Sequence, residues 1–202
     1  LINGSPHEKG CTYTALSLVA GELNAAGITT EILNVGTKPV GGCIGCGGCA
    51  KGNGCVFGGV VNEAIEKAKT ADGFVFGSPV HYASASGNMT SFMDRLAYAG
   101  GRYLAYKPAA ICCSARRAGT TATLDQLAKY PEFFHMPLVS GSYWPMVHGS
   151  NPEQVLQDEE GCAVMKELGR NMAWLLQCIE AGKAAGISHP ENPRRPMTNF
   201  IR

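Results

Sequence analysis

Apolar residues recur along this chain in two rhythms. Leu16, Val19, Ala20 and Leu23 share one helical face, as do Val61, Ala64, Ile65 and Ala68. That i, i+3, i+4, i+7 spacing marks amphipathic helices. Short apolar runs lie between them. Leu1-Ile2 reads as the end of a buried strand, followed by strands over Ile28–Val35, Gly73–Gly77, Ala109–Ser114 and Pro137–Ser142. The run Gly73-Phe74-Val75-Phe76-Gly77 is apolar without alternation, as a parallel sheet covered on both faces requires. Further helices are predicted over Met89–Ala97, from a cap at Thr120 or Thr121 to a stop at Pro131, and from about Pro152 to Ala181. Strands alternating with helices predict an α/β fold. Its expected form is three-layered and doubly wound, with a five-stranded parallel sheet in the order 2-1-3-4-5.

The domain should span residues 1–183 and leave 184–202 as an extended tail, since Pro190, Pro193 and Pro196 exclude helix. The tail ends in Phe200-Ile201, which suits either a frayed terminus or an arm packed on a neighbouring subunit.

The 202 residues suffice for one sizeable core. With 17 basic and 16 acidic side chains, charge gives no reason to expect nucleic acid or an anionic membrane as partner. It also argues against a small, strongly acidic electron carrier. No apolar run is long enough to span a bilayer. No signal peptide is visible, and the chain begins without Met and inside a strand, so residues are expected ahead of Leu1. There are nine cysteines, four of them in one loop. An odd, clustered set points to a reducing compartment, expected to be the cytoplasm, and to metal or redox use.

Three loops should meet at the carboxyl edge of such a sheet. The first, Asn3–Thr12, reads NGSPHEKGCT and leads into a helix. Free backbone N–H groups and the positive end of the helix dipole favour an anion there. The phosphate-loop lysine, the dinucleotide glycine fingerprint, the arginine of a cysteine phosphatase and the carboxylates of a response regulator are all missing. A monophosphate held by backbone amides and the hydroxyls of Ser5 and Thr12 remains, beside an ordinary Gly-Ser-Pro turn. The second loop, Ser78–Asn88, offers Pro79, His81, Tyr82 and small residues to a planar amphipathic ring. The third, Ser114–Gly119, adds Arg116 and Arg117, which suit phosphate or carboxylate groups bidentately or serve as surface charge. His7 is either a phosphate ligand or solvated, and His81 is a candidate for proton transfer or plain pocket wall. Tyr143 and Trp144 fit a pocket wall or packing. Asp94-Arg95 reads as a structural pair at a helix end, and Cys112 and Cys113 as buried and inert.

Together, Asn3-Gly-Ser-Pro with Gly10-Cys-Thr12, Gly77-Ser-Pro-Val-His-Tyr with Gly87-Asn-Met, and Phe92-Met-Asp-Arg95 resemble the NADPH-dependent FMN reductase family, and within it the branch of iron–sulfur flavoproteins. The resemblance covers about residues 1–182. It implies a flavodoxin-like fold, bound FMN, homodimers or homotetramers, and reduction of the flavin by NADPH or NADH. By position, Ser5, His7, Cys11 and Thr12 would surround the FMN phosphate. Pro79, Val80, His81, Tyr82 and Ala83 would border the ring. From the convergence of the loops, Ser114, Arg116, Arg117 and Gly119 are expected to complete the cofactor site. The family often carries Asn at Cys11 and a basic residue at His7. The cofactor supplies the chemistry in such enzymes, so no side-chain acid or base is required. Acceptors in view are quinones, nitro-compounds, free flavin, oxygen or a protein. A non-enzymatic carrier or redox sensor is the alternative, and a scaffold without cofactor a third.

Cys43, Cys46, Cys49 and Cys55 have the spacing C-x2-C-x2-C-x5-C. Three cysteines two residues apart with a fourth in the same loop suit a compact [4Fe-4S] site. Zinc usually joins two separated pairs. The resemblance leaves two readings open, a four-iron cluster or free thiols beside an FMN-only site.

Overall fold

The structure, a computed structural model, describes residues 1–192 and 198. Its sheet has five parallel strands in the order β2-β1-β3-β5-β6, with β4 pairing antiparallel to β3 alone. β1 is Ile2–Asn3, β2 Leu33–Asn34, β3 Phe74–His81, β4 Ser84–Ala85, β5 Ala109–Ala115 and β6 Met146–His148. The helices are α1 (Cys11–Ala25), α2 (Val60–Thr70), α3 (Gly87–Gly100), α4 (Thr120–Phe133), α5 (Pro152–Gln157) and α6 (Glu159–Ala184).

Two cores form because successive strand residues face opposite ways. Phe74, Phe76, Ile111 and Cys113 point to one face, where α2, α3 and α4 cover them with Ile65, Met89, Phe92, Leu96 and Leu127. Val75, Ala110 and Cys112 point to the other, against Leu16 and Val19 of α1 and Met165, Leu168 and Met172 of α6. The predicted layers and parallel order are present. Among the described residues no helix is long and apolar enough to cross a membrane.

Several boundaries differ from the sequence reading. The second strand pairs only at Leu33–Asn34, because Ile28 turns back to bond the Leu23 carbonyl and polar Thr29–Glu31 follow. The fifth strand is broken. Leu138 makes a single parallel bridge to Ala109, the chain then leaves the sheet, and pairing resumes at β6. α6 holds the bulge: the Glu167 carboxylate accepts from the Ser142 N–H at 3.0 Å, and Asn171 donates to the Ser140 carbonyl at 2.8 Å. The predicted long last helix is two. Asp158 separates them, its carboxylate capping α6 at Gly161 N–H.

Neither threonine caps α4; Gly119 does, at φ +94°. A β-carbon there would lie 2.5 Å from Ala83 Cα, so glycine is needed for both the angle and the approach. Pro131 does not stop the helix, which continues to Phe133. Near the C-terminus its missing N–H forfeits only one rung.

The tail turns back on its own chain at its start. His189 stacks on Tyr106 with ring centroids 4.4 Å apart, and Asn192 donates to the Tyr106 hydroxyl. Pro193, Pro196 and Phe200-Ile201 lie outside the described residues.

Candidate functional site

The carboxyl edge of the sheet brings the three predicted loops together. Asn3 ends β1 and organises the first: its Oδ1 accepts from Ser5 N–H at 3.1 Å, and its Nδ2 donates to the Glu8 carbonyl and to Asn34. Ser5 is buried and its hydroxyl accepts from His7 N–H, while His7 itself is exposed. Gly36, just after β2, crosses directly over Ser5; a β-carbon on it would sit 2.3 Å from the Ser5 carbonyl oxygen. The loop then enters α1 at Gly10, with no side chain capping the helix. An uncapped first turn behind a glycine-rich loop leaves donors for an anion.

Thr12 turns inward at the start of α1. It is fully buried, and its hydroxyl shares a 2.8 Å hydrogen bond with the Ser114 hydroxyl, tying the first loop to the third. Cys11 is half-buried and donates its thiol to the Gly149 carbonyl at 3.5 Å. Burial raises its pKa, so the thiol stays neutral.

The second loop is a hairpin rather than an irregular segment. β3 runs through Pro79 and Val80 to His81, and β4 returns with His81 opposite Ser84. Tyr82 and Ala83 form the turn at φ +50° and +59°. Two positive angles are those of a type I′ hairpin turn, which Asn-Gly normally supplies. A tyrosine and an alanine there cost roughly 1–2 kcal/mol each. Gln126, accepting from Ala85 N–H at 2.9 Å, and the close contact of Gly119 hold the hairpin in place. The Tyr82 ring stands in solvent, free of its own chain. Sparsely populated backbone of this kind collects at ligand sites.

Two residues that sequence reasoning passed over join these loops. Ser86 donates to the Gly4 carbonyl at 2.8 Å, accepts from Met89 N–H and so caps α3. Asn88 donates to the carbonyls of Gly36 and Lys38 and accepts from Val40 N–H. A serine three residues before a helical stripe is a legible cap signal; the reach of Asn88 across half the fold is not. In the third loop, Ser114 is buried and Arg116 and Arg117 are exposed. The Arg117 carbonyl meets the His148 ring at 3.2 Å, which brings the loop after β6 to the same edge.

The four clustered cysteines line one cavity of about 270 Å³ beside α3, with Ile44, Val56, Phe57, Arg95 and Tyr98. Cys43 and Cys46 are exposed, Cys49 and Cys55 half-buried. Among the described residues, no three Cys, His, Asp or Glu side chains are grouped to hold a single metal ion. Asp94 and Arg95 are not a pair. Asp94 accepts from the Tyr130 hydroxyl at 2.6 Å, whereas Arg95 is buried and turns to the cysteine loop. Cys112 and Cys113 are buried as expected.

Comparison with known proteins finds relatives over most of the chain. The chain is 28% identical over 188 residues to an iron–sulfur flavoprotein of Methanocaldococcus jannaschii, covering 89% of this chain and 97% of the relative. It is 21% identical over 192 residues to an iron–sulfur flavoprotein of Methanosarcina thermophila, covering 90% and 96%. Among solved structures, a WrbA-like flavodoxin from Agrobacterium tumefaciens superposes with a TM-score of 0.62 at 14% identity, covering 88% of this chain and 94% of that one. A flavodoxin from the domain Archaea gives 0.58 at 13%, covering 87% and 97%. These two show the shared flavodoxin-like fold. The profile of NADPH-dependent FMN reductases matches residues 1–151, three quarters of the chain, which therefore belongs to that family.

Proposed function

We propose that this protein is an FMN-dependent oxidoreductase that takes electrons from NADPH or NADH and passes them to a small-molecule or protein acceptor. One observation carries the reading: an uncapped helix start, a buried serine loop and a strained hairpin converge at the carboxyl edge of a doubly wound sheet. Family membership supports it.

The residues present fit FMN. Gly36 and Gly4 leave the first loop no room for side chains, so backbone can close around a phosphate. Ser5 offers its hydroxyl and the α1 start its amides. Thr12 acts from behind by fixing Ser114. Pro79–Ala83 present a rigid edge to a ring, and Tyr82 is free to lie against it. His81 is exposed beside that edge and could hold a proton at the ring. FMN, when bound, accepts a pair of electrons and releases them singly or together. The hairpin and the third loop orient the donor, and Arg116 or Arg117 meets its phosphates.

We further propose that the cysteine loop holds a [4Fe-4S] cluster. A cluster takes one thiolate at each iron, so its ligands stand further apart than those of one zinc ion. Four cysteines around one cavity suit such a group. The relatives' printed names support the same reading. A homodimer or homotetramer, the second subunit covering Tyr82 and the open ring site, completes the proposal.

The test is equilibrium FMN binding by wild type and Ser5→Ala, followed by fluorescence quenching. Losing one hydroxyl contact to a charged group should weaken binding by about 10- to 100-fold. Unchanged affinity would move the phosphate elsewhere.

A further inference from the structure

Arg95 is 6% exposed, and no carboxylate lies within ion-pairing distance of it among the described residues. A guanidinium so placed is costly unless something nearby carries negative charge. Its neighbour Asp94 is spent on Tyr130. What Arg95 meets is the cysteine loop. Its Nε–H points to Cys55 Sγ at 3.2 Å, Nη1 donates to the Gly41 carbonyl at 3.3 Å, and Nη2 to the Gly58 carbonyl at 3.0 Å. The Phe57 ring centroid lies 5.4 Å from its Cζ. Gly41 and Gly58 bracket the whole run from Cys43 to Cys55, so one planar fork holds both ends of the loop. Carbonyls and a phenyl face carry no net charge. Of these partners only sulfur can become an anion, and a neutral thiol is a weak acceptor.

We propose that Arg95 is the fixed counter-cation and positioning residue of the four-cysteine site. Its fork closes the loop, and its charge favours the more negative oxidation state of the group bound there. This rests on the reading that the loop holds an iron–sulfur cluster. Four thiolates leave such a cluster anionic, and reduction adds one electron with no bond made or broken. A buried cation beside Cys55 therefore raises the reduction potential, as charge and hydrogen bonds to the sulfurs do generally. Lysine keeps the charge but cannot span two carbonyls and a sulfur; glutamine keeps hydrogen bonding but loses the charge.

The experiment reconstitutes wild type, Arg95→Lys and Arg95→Gln anaerobically with ferrous iron and sulfide. Iron and acid-labile sulfide are counted, and the midpoint is read by dithionite titration with mediators, followed by visible absorption and electron paramagnetic resonance. Arg102→Gln is the control: Arg102 also donates to the loop, at the Gly52 carbonyl, but from an exposed position. The expected result is a clearly more negative midpoint in Arg95→Gln, a midpoint near wild type in Arg95→Lys, and no shift in Arg102→Gln. Arg95→Lys should also lose iron to a chelator faster than wild type. Equal midpoints in wild type and Arg95→Gln at full iron content would overturn the proposal. If Arg95→Gln takes up no iron while Arg95→Lys does, the charge is again required; equal failure of both overturns the role of charge. A wild-type protein that takes up no iron fails one step earlier, at the cluster reading, and removes the proposal with it.

Discussion

Replacing Gly36 by alanine should damage the phosphate loop far more than the size of one methyl group suggests. The added carbon would lie 2.3 Å from the Ser5 carbonyl oxygen, 2.4 Å from the Ser5 carbonyl carbon and 2.5 Å from the Gly4 carbonyl oxygen. All three are backbone atoms, so no side chain can swing aside. Relief requires a shift of roughly 1 Å in the chain around Ser5, and such overpacking costs about 1–3 kcal/mol. Displacing Ser5 would also take its hydroxyl away from the proposed phosphate site, a contact worth about 1.5–3 kcal/mol for a charged partner. FMN affinity should therefore fall about 10- to 100-fold. The assay is fluorescence quenching at equilibrium, with urea unfolding of the same samples. Gly21→Ala supplies the contrast. Gly21 is exposed within α1, and an added carbon meets nothing within 4 Å. It should stabilise the fold by about 1 kcal/mol and leave FMN binding alone. Wild-type affinity in Gly36→Ala would refute the geometry of the loop.

Ser86→Ala removes the cap of α3 and leaves the Gly4 carbonyl without its donor, and should cost about 2–3 kcal/mol by urea unfolding; a loss under about 0.5 kcal/mol would place it among ordinary surface changes. The double change Arg116→Ala and Arg117→Ala should raise KM for NADPH more than for NADH if these side chains meet the 2′-phosphate, and identical kinetics for both would leave them as surface charge. Burial pushes the Cys112 thiol up to about 12 and Cys113 higher still, so both stay protonated at neutral pH. Alkylation needs the thiolate, so in cluster-free native protein iodoacetamide should label exposed Cys43 and Cys46 and reach Cys112 and Cys113 only after unfolding, as peptide mass spectrometry would show.

The sequence carried the layers of the fold plainly. Phe74-Val75-Phe76 and Ala109–Cys113 are uniformly apolar because both faces of the sheet are covered, and the helical stripes name the covering faces. It did not carry the break in the last strand. That break depends on Glu167 and Asn171 of α6 reaching residues about 25 to 31 positions earlier, which no local pattern encodes. The hairpin at Tyr82-Ala83 was hidden for the opposite reason: its residues contradict the usual turn chemistry, and packing against Gly119 overrides their preference. The convergence of the three loops was visible as loop composition, whereas the inward turn of Thr12 onto Ser114 was not. Arg95 looked like half of an Asp-Arg pair. Adjacent helical residues do not face each other, and the two side chains meet different neighbours, Tyr130 and the cysteine loop.

The most direct test of the account is the absorption spectrum of anaerobically purified, FMN-reconstituted protein before and after one equivalent of NADPH or NADH. An oxidised flavin band that bleaches within seconds with either nicotinamide is the predicted result. A protein that takes up no flavin, or a bound flavin that neither nicotinamide reduces, would contradict the claim that these three loops form an FMN-dependent reductase site.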